Sequence, residues 1–261
     1  MIMPGYALDR WIASAYRLWL FLDYDGTLAD FMPLPGQVEL EPDLVALIKE
    51  LAADPRLRVT ILSGRTLKSV QELVPVAGIF LAGVYGLEIQ MPEGDTIDRG
   101  NYSIIRNFLE QIKPRWESLI ANRPEIFLED KGWALALHAS NVPLADAREL
   151  LACARQAAGE GLPENLFRWF DSSNFLELAP LQANKGETVN LLVKGYPYAG
   201  ARLLYIGDDD KDEEAFEVVH AFGGLNIQVS DPENPILYAG ADYVLNSPHE
   251  VRKWLKTLFI P

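Results

Sequence analysis

The chain predicts a doubly wound parallel-sheet α/β core interrupted by a smaller α+β domain, and three observations carry that expectation. Short apolar runs recur toward both ends of the chain, each closing on a small or polar cluster. Helix-like stretches lie between those runs. The middle of the chain follows a different pattern. Apolar runs of about four to six residues bounded by turn signals suit strands buried on both faces, as in a parallel sheet. Their alternation with helices then specifies a doubly wound arrangement.

In chain order, the first expected strand is LWLFLD, which ends at Asp23 and gives way to YDGT. A helix follows over 42–54 (PDLVALIKELAAD), then a strand, RVTIL, closing on SGRT, and a helix over 66–74 (TLKSVQELV). From about Gly100 to Pro180, helical segments (SIIRNFLEQIKPRWESLIA and LADARELLACARQAA) mix with alternating stretches such as GWALALHAS and NLFRWFDSSNFLELAP. That mixture predicts an α+β insertion with an antiparallel sheet. The core resumes with a helix over 185–195 (KGETVNLLVKG), a strand ARLLYIG closing on DDDKDEE, and a strand LNIQV closing on SDPENP. The expected organisation is a discontinuous core over 1–99 and 181–261, with the inserted domain over 100–180.

Composition narrows the function. The 261 residues are 49% hydrophobic and 23% charged, the balance of a folded globular chain. Net charge is −14, from 37 acidic against 23 basic residues, and no Lys/Arg run offers a footprint for nucleic acid. An anionic substrate therefore needs local cations, either a metal or a few placed Lys and Arg residues. Cys153 is the only cysteine, which excludes a disulfide framework and a cysteine zinc site. The N-terminal stretch is broken by Asp9, Arg10, Arg17 and Asp23, so it offers no membrane span and no signal-peptide core. A cytoplasmic protein is expected.

Open α/β sheets bind ligands outside the carboxyl ends of their strands. Those ends carry Asp23 and Asp25, Ser63, and Asp208 through Asp212, while Lys185 opens a helix after APLQAN. Singly, each has an ordinary reading. Ser63 suits a helix N-cap, DDDKDEE an acidic helix start, and Lys185 the surface. Together they form a constellation of acids, a hydroxyl and a lysine at equivalent ends of separate elements. Clustered carboxylates become tolerable around a divalent, oxygen-liking cation such as Mg²⁺. Metal, lysine and hydroxyl can then hold a phosphate dianion. One aspartate can attack phosphorus while its neighbour hands a proton to the leaving oxygen.

DYDGT, SGR, Lys185 in NKG, and GDDDKDE resemble the four ordered motifs of the haloacid dehalogenase superfamily of phosphatases. LFLDYDGTL, ILSGR, AGVYGLEI, LEDKGWALALH, LELAPLQANKGETVNLLV and YIGDDDKDEEAF further resemble the trehalose-6-phosphate phosphatase family across most of the chain. The resemblance implies that Asp23 is the nucleophile and Asp25 the general acid/base. It implies that Asp23, Asp208 and the backbone carbonyl of Asp25 bind Mg²⁺. Ser63 and Lys185 would hold the transferring phosphoryl group, and Asp212 would orient Lys185 or metal-bound water. Glu129, Lys131 and Glu177 match the sugar-binding positions of the family's cap domain, and Arg65 follows the motif serine toward the substrate. The implied partner is a small-molecule sugar phosphate.

Three positions depart from the family pattern: Tyr85 replaces a histidine, Lys211 a threonine, and HASN lacks the usual arginine after His138. All three bear on sugar recognition, so another glycosyl phosphate stands as the alternative substrate. A phosphomutase, which would retain the phosphate, and a sugar-phosphate sensor without turnover are the remaining alternatives. His138 and the aromatic set in FRWFDSSNF are expected to build the inserted sheet and its core.

Overall fold

The computed structural model describes residues 5–31, 39–159, 161–230 and 236–259. Helix α1 (Gly5–Ala13) leads into β1 (Arg17–Asp23), α2 (Pro42–Ala53), β2 (Leu57–Leu62), α3 (Leu67–Leu73), β3 (Phe80–Gly83), β4 (Glu88–Gln90) and β5 (Thr96–Asp98). Next come α4 (Tyr102–Ile120), β6 (Phe127–Asp130), β7 (Leu135–His138), α5 (Leu144–Gly159), β8 (Phe167–Asp171) and β9 (Phe175–Pro180). The chain continues through α6 (Lys185–Gly195), β10 (Ala201–Gly207), α7 (Glu213–Ala221), β11 (Leu225–Val229), β12 (Tyr243–Leu245) and α8 (Pro248–Lys256). The turn expected at DPENP, 231–235, lies outside the described residues. Two compact units result. One gathers the described residues up to Phe31, Glu39–Ile97 and those from Asn184 onward, and the other takes Asp98–Ala183.

The first unit is built on an eight-stranded sheet of order β12-β11-β10-β1-β2-β3-β4-β5. Strands β12 through β3 run parallel, and β4 turns back antiparallel on β3. The continuous apolar run of β1 follows from its place between β10 and β2, where six of its seven residues are buried. Parallel neighbours need crossover connections, and α2, α3 and α7 supply them between β1 and β2, β2 and β3, and β10 and β11. Asp23 pairs in register with Leu62 on β2, and Leu22 with Ile206 on β10. The carboxyl ends of β1, β2 and β10 therefore share one edge of the sheet.

One face of that sheet packs Trp19, Phe21, Leu62, Phe80 and Tyr205 against Val189 and Leu192 of α6 and Phe216 of α7. Full burial of such side chains contributes about 1.5–3 kcal/mol each. The Trp19 indole N–H donates to the Thr60 hydroxyl at 2.8 Å, so this polar pair is satisfied inside the core.

The second unit is a four-stranded antiparallel sheet of order β6-β7-β9-β8, with helices α4 and α5. Trp116 of α4 is fully buried and its indole N–H donates to the Ala154 carbonyl of α5 at 2.9 Å. Phe167 and Phe170 of the FRWFDSSNF stretch are buried, and His138 closes β7 as a sheet residue.

Candidate active site

Asp23 is the last residue of β1, and the chain then turns through Tyr24, Asp25, Gly26 and Thr27. Gly26 sits at φ 80°, and a Cβ there would overlap the Asp208 carboxylate. Only glycine lets this turn come so close to the end of β10. Thr27 contributes its hydroxyl, which donates to Asp208 Oδ1 at 3.1 Å.

Lys185 is the first residue of α6, whose N-cap Asn184 accepts from the Glu187 amide at 2.7 Å. Its ammonium is buried and donates to Asp23 Oδ1 at 2.7 Å and to Asp212 Oδ1 at 2.6 Å. Asp212 Oδ1 also accepts from the Tyr205 hydroxyl at 2.6 Å, and Oδ2 from the backbone amides of Asp208 and Asp209 at 3.0 and 3.1 Å. A carboxylate has about four lone-pair sites, so Asp212 is fully engaged in holding Lys185 and the 208–212 turn. A Cβ at Gly207 would collide with Asp212, which requires glycine at the end of β10.

Burial pushes the Asp23 carboxyl up to about 7, with the charges of Asp212 and Asp209 adding and Lys185 opposing. Asp208 is raised well above the carboxylate range by burial and by Asp23. Lys185 loses solvation on burial, yet the charges of Asp212 and Asp23 outweigh that and raise it well above its ordinary value. These carboxylates are short of positive charge. Asp23, Asp208 and Asp212 each offer an oxygen within 4.8 Å of the others, and this all-oxygen set fits a hard divalent cation. Because Asp212 is saturated, Asp23 and Asp208 are the side chains suited to ligate it.

Ser63 follows β2 and is buried. It does not cap the next helix. Thr66 does, accepting from the Ser69 amide at 3.2 Å, while Ser63 Oγ accepts from the Arg65 amide at 3.1 Å. Arg65 reaches Asp25 in a two-pronged contact, Nε to Oδ2 at 2.7 Å and Nη2 to Oδ1 at 2.6 Å. The acidic turn is likewise not a solvated helix start. Asp209 forms a reciprocal capping box with Asp212, which is completely buried. Lys211 is consumed locally, donating to Asp209 Oδ2 at 2.6 Å and Asp210 Oδ1 at 3.2 Å. Tyr85 is buried against Gly64 on a strained segment, with Val84 and Tyr85 at φ 46° and 57°.

Sequence reasoning missed Tyr205 and Thr27. Thr27 stands in DGT beside the motif aspartates, a local signal. Tyr205 lies inside an apolar strand, where only the three-dimensional turn reveals its role.

In the second unit, the register aligns Glu129 of β6 with Ala136 of β7, and Ala136 with Glu177 of β9. The small Ala136 stands between the two carboxylates. Lys131 Nζ donates to both oxygens of fully buried Glu177 at 3.1 Å and lies 3.9 Å from Glu129 Oε2. His138 Nε2 lies 2.9 Å from the same Glu129 oxygen. The three residues singled out in this unit thus form one cluster.

Comparison with known proteins identifies the family. The profile of the family described as "Trehalose-phosphatase" matches residues 21–248. A "Probable trehalose-phosphate phosphatase" of Sinorhizobium fredii is 31% identical over 227 residues, covering 86% of this chain and 80% of that protein. The "Trehalose-phosphate phosphatase" of Mycobacterium tuberculosis is 29% identical over 92% of this chain, which spans 60% of the length of that relative. Among solved structures, the C-terminal domain of the C. albicans trehalose-6-phosphate phosphatase superposes with a TM-score of 0.81 at 19% identity, covering 98% of this chain and 97% of that one. The chain belongs to the trehalose-phosphatase family, within the haloacid dehalogenase superfamily.

Proposed function

We propose that the protein is a Mg²⁺-dependent phosphatase that converts trehalose 6-phosphate and water to trehalose and phosphate. The observation that carries this reading is the buried ammonium of Lys185 bridging Asp23 and Asp212 beside Asp208. An Asp23 carboxylate oxygen attacks phosphorus; the new P–O bond forms as the bond to the sugar oxygen breaks. That oxygen leaves with the electron pair and takes the proton of Asp25. Water then attacks the aspartyl phosphate, gives its proton to Asp25, and phosphate departs, restoring Asp23. Ser63 and Lys185 hold the phosphoryl oxygens, and Asp212 keeps Lys185 aimed. Asp23, Asp208 and the Asp25 carbonyl would hold Mg²⁺, which would supply positive charge to the transferring group.

The second unit is assigned sugar recognition. Glu129, Lys131 and Glu177 combine two acceptors and a donor, a set suited to the paired donor and acceptor character of hydroxyls. The relatives' names favour trehalose 6-phosphate. The buried Tyr85 on its strained turn, where the family carries histidine, favours a second reading: a phosphatase of another glycosyl phosphate. On either reading the enzyme acts in the cytoplasm, where charged sugar phosphates are retained.

Phosphate release over a panel of sugar phosphates tests the assignment. Trehalose 6-phosphate is expected to give the highest kcat/KM, with activity lost on chelation and restored by Mg²⁺. Transfer of phosphate to a second sugar position without release of free phosphate would overturn it.

A further inference from the structure

The contact between Arg65 and Asp25 carries more than substrate attraction. Two guanidinium nitrogens, Nε and Nη2, are matched to the two carboxyl oxygens at 2.7 and 2.6 Å, and the side chains are only 10% and 21% exposed. Two parallel hydrogen bonds fix the plane of a carboxyl group, whereas a single one leaves it free to turn. Asp25 needs such a tether. It lies beyond the end of β1, on the turn that closes through the Gly26 amide to the Ala29 carbonyl at 2.8 Å. Arg65 is itself fixed at its root. Its amide donates to Ser63 Oγ at 3.1 Å and its carbonyl accepts from the Val84 amide at 2.7 Å. The fork therefore ties the turn after β1 to the loop after β2, the loop that carries Ser63.

We propose that Arg65 is a positioning residue for Asp25, fixing the carboxyl group that passes its proton to the leaving sugar oxygen. This inference rests on Asp25 being the acid/base of the proposed function. Phosphoryl transfer to Asp23 breaks the bond to the leaving oxygen, and the electron pair left there takes the Asp25 proton, which sits on a lone-pair site of one carboxyl oxygen that faces away from the fork. An alkyl alcohol needs that proton; an acidic phenol departs nearly as well without it. Loss of positioning therefore appears as a change in leaving-group dependence.

The test compares kcat/KM for p-nitrophenyl phosphate and glycerol phosphate at saturating Mg²⁺, in the wild type, Arg65→Lys, Arg65→Ala and Asp25→Asn. Because kcat/KM covers only steps through release of the alcohol, the later work of Asp25 on water does not enter. The alkyl-to-aryl ratio is expected to fall about 10–10²-fold in both Arg65 variants, and further in Asp25→Asn. A lysine restores charge but not the fork, so Arg65→Lys stays impaired. Each ratio is taken within one preparation, so the folded fraction cancels. Neither substrate is a disaccharide, so loss of a disaccharide contact cannot produce the change. An unchanged ratio in the Arg65 variants, with a collapsed one in Asp25→Asn, overturns the positioning role alone. An unchanged ratio in Asp25→Asn overturns the acid/base assignment and, with it, this inference.

Discussion

Asp23 and Asp25 stand two positions apart, yet their partners give them different work. Asp23 is buried against an ammonium it shares with Asp212, while Asp25 is partly exposed and gripped by a guanidinium. Asp23→Asn should abolish turnover, since an amide cannot attack phosphorus and is a poorer metal ligand. Phosphate release and recovery of a phosphorylated protein check this, and near-wild-type rates would sink the covalent route. The fold itself should survive the change, because the carbonyl oxygen of the new side-chain amide can still accept from Lys185. Removing the lysine is different: Lys185→Ala leaves Asp23 and Asp212 buried without their shared cation. Breaking a buried pair in this way costs about 3–5 kcal/mol, read as a lower denaturation midpoint. An unchanged midpoint would mean that water replaces the ammonium at little cost.

At the scale of elements, turns rather than strands aim the chemistry. Gly26→Ala must place a Cβ into the Asp208 carboxylate while holding a left-handed backbone, a conformation that costs a non-glycine residue about 1–2 kcal/mol. Displaced Asp208 should bind Mg²⁺ more weakly, so the metal concentration for half-maximal activity should rise by at least tenfold; an unchanged requirement would remove Asp208 from the ligand set. In the second unit, Asp130 at the end of β6 joins α4 through Arg106 at 2.6 Å and Lys113 at 2.9 Å. Burial pushes this carboxyl up, but the hydrogen bonds from Arg106, Lys113 and the Gly132 amide outweigh it and hold it below the ordinary carboxylate range. A depressed folded-state value means its stabilisation is complete above about pH 4 and fades as pH falls further. The Tm gap between the wild type and Asp130→Asn should therefore narrow below pH 4; a gap independent of pH would assign the difference to packing.

Across the whole molecule, what could be read from the sequence was whatever depends on near neighbours. The helices expected over 42–54, 66–74 and 185–195 appear as Pro42–Ala53, Leu67–Leu73 and Lys185–Gly195, because apolar spacing and caps are local. The acids at the ends of β1 and β10 were legible for the same reason. The fork from Arg65 to Asp25 spans 40 positions, and the left-handed Val84 contradicts the preference of a β-branched residue, so neither has a local signal. The two clusters divide along the same line as the two units, which separates their expected effects by substrate. Glu129→Ala or Glu177→Ala should reduce kcat/KM on trehalose 6-phosphate heavily, each lost hydrogen bond to a charged group being worth about 1.5–3 kcal/mol. Activity on p-nitrophenyl phosphate, which has no sugar to hold, should change little. Glu177→Ala also removes both hydrogen bonds from Lys131 to this carboxylate, so Glu177→Gln, which keeps an acceptor, serves as the milder variant and should fall between. Equal losses on both substrates would make these residues supports of the fold, and no loss on either would return the sugar assignment to other positions.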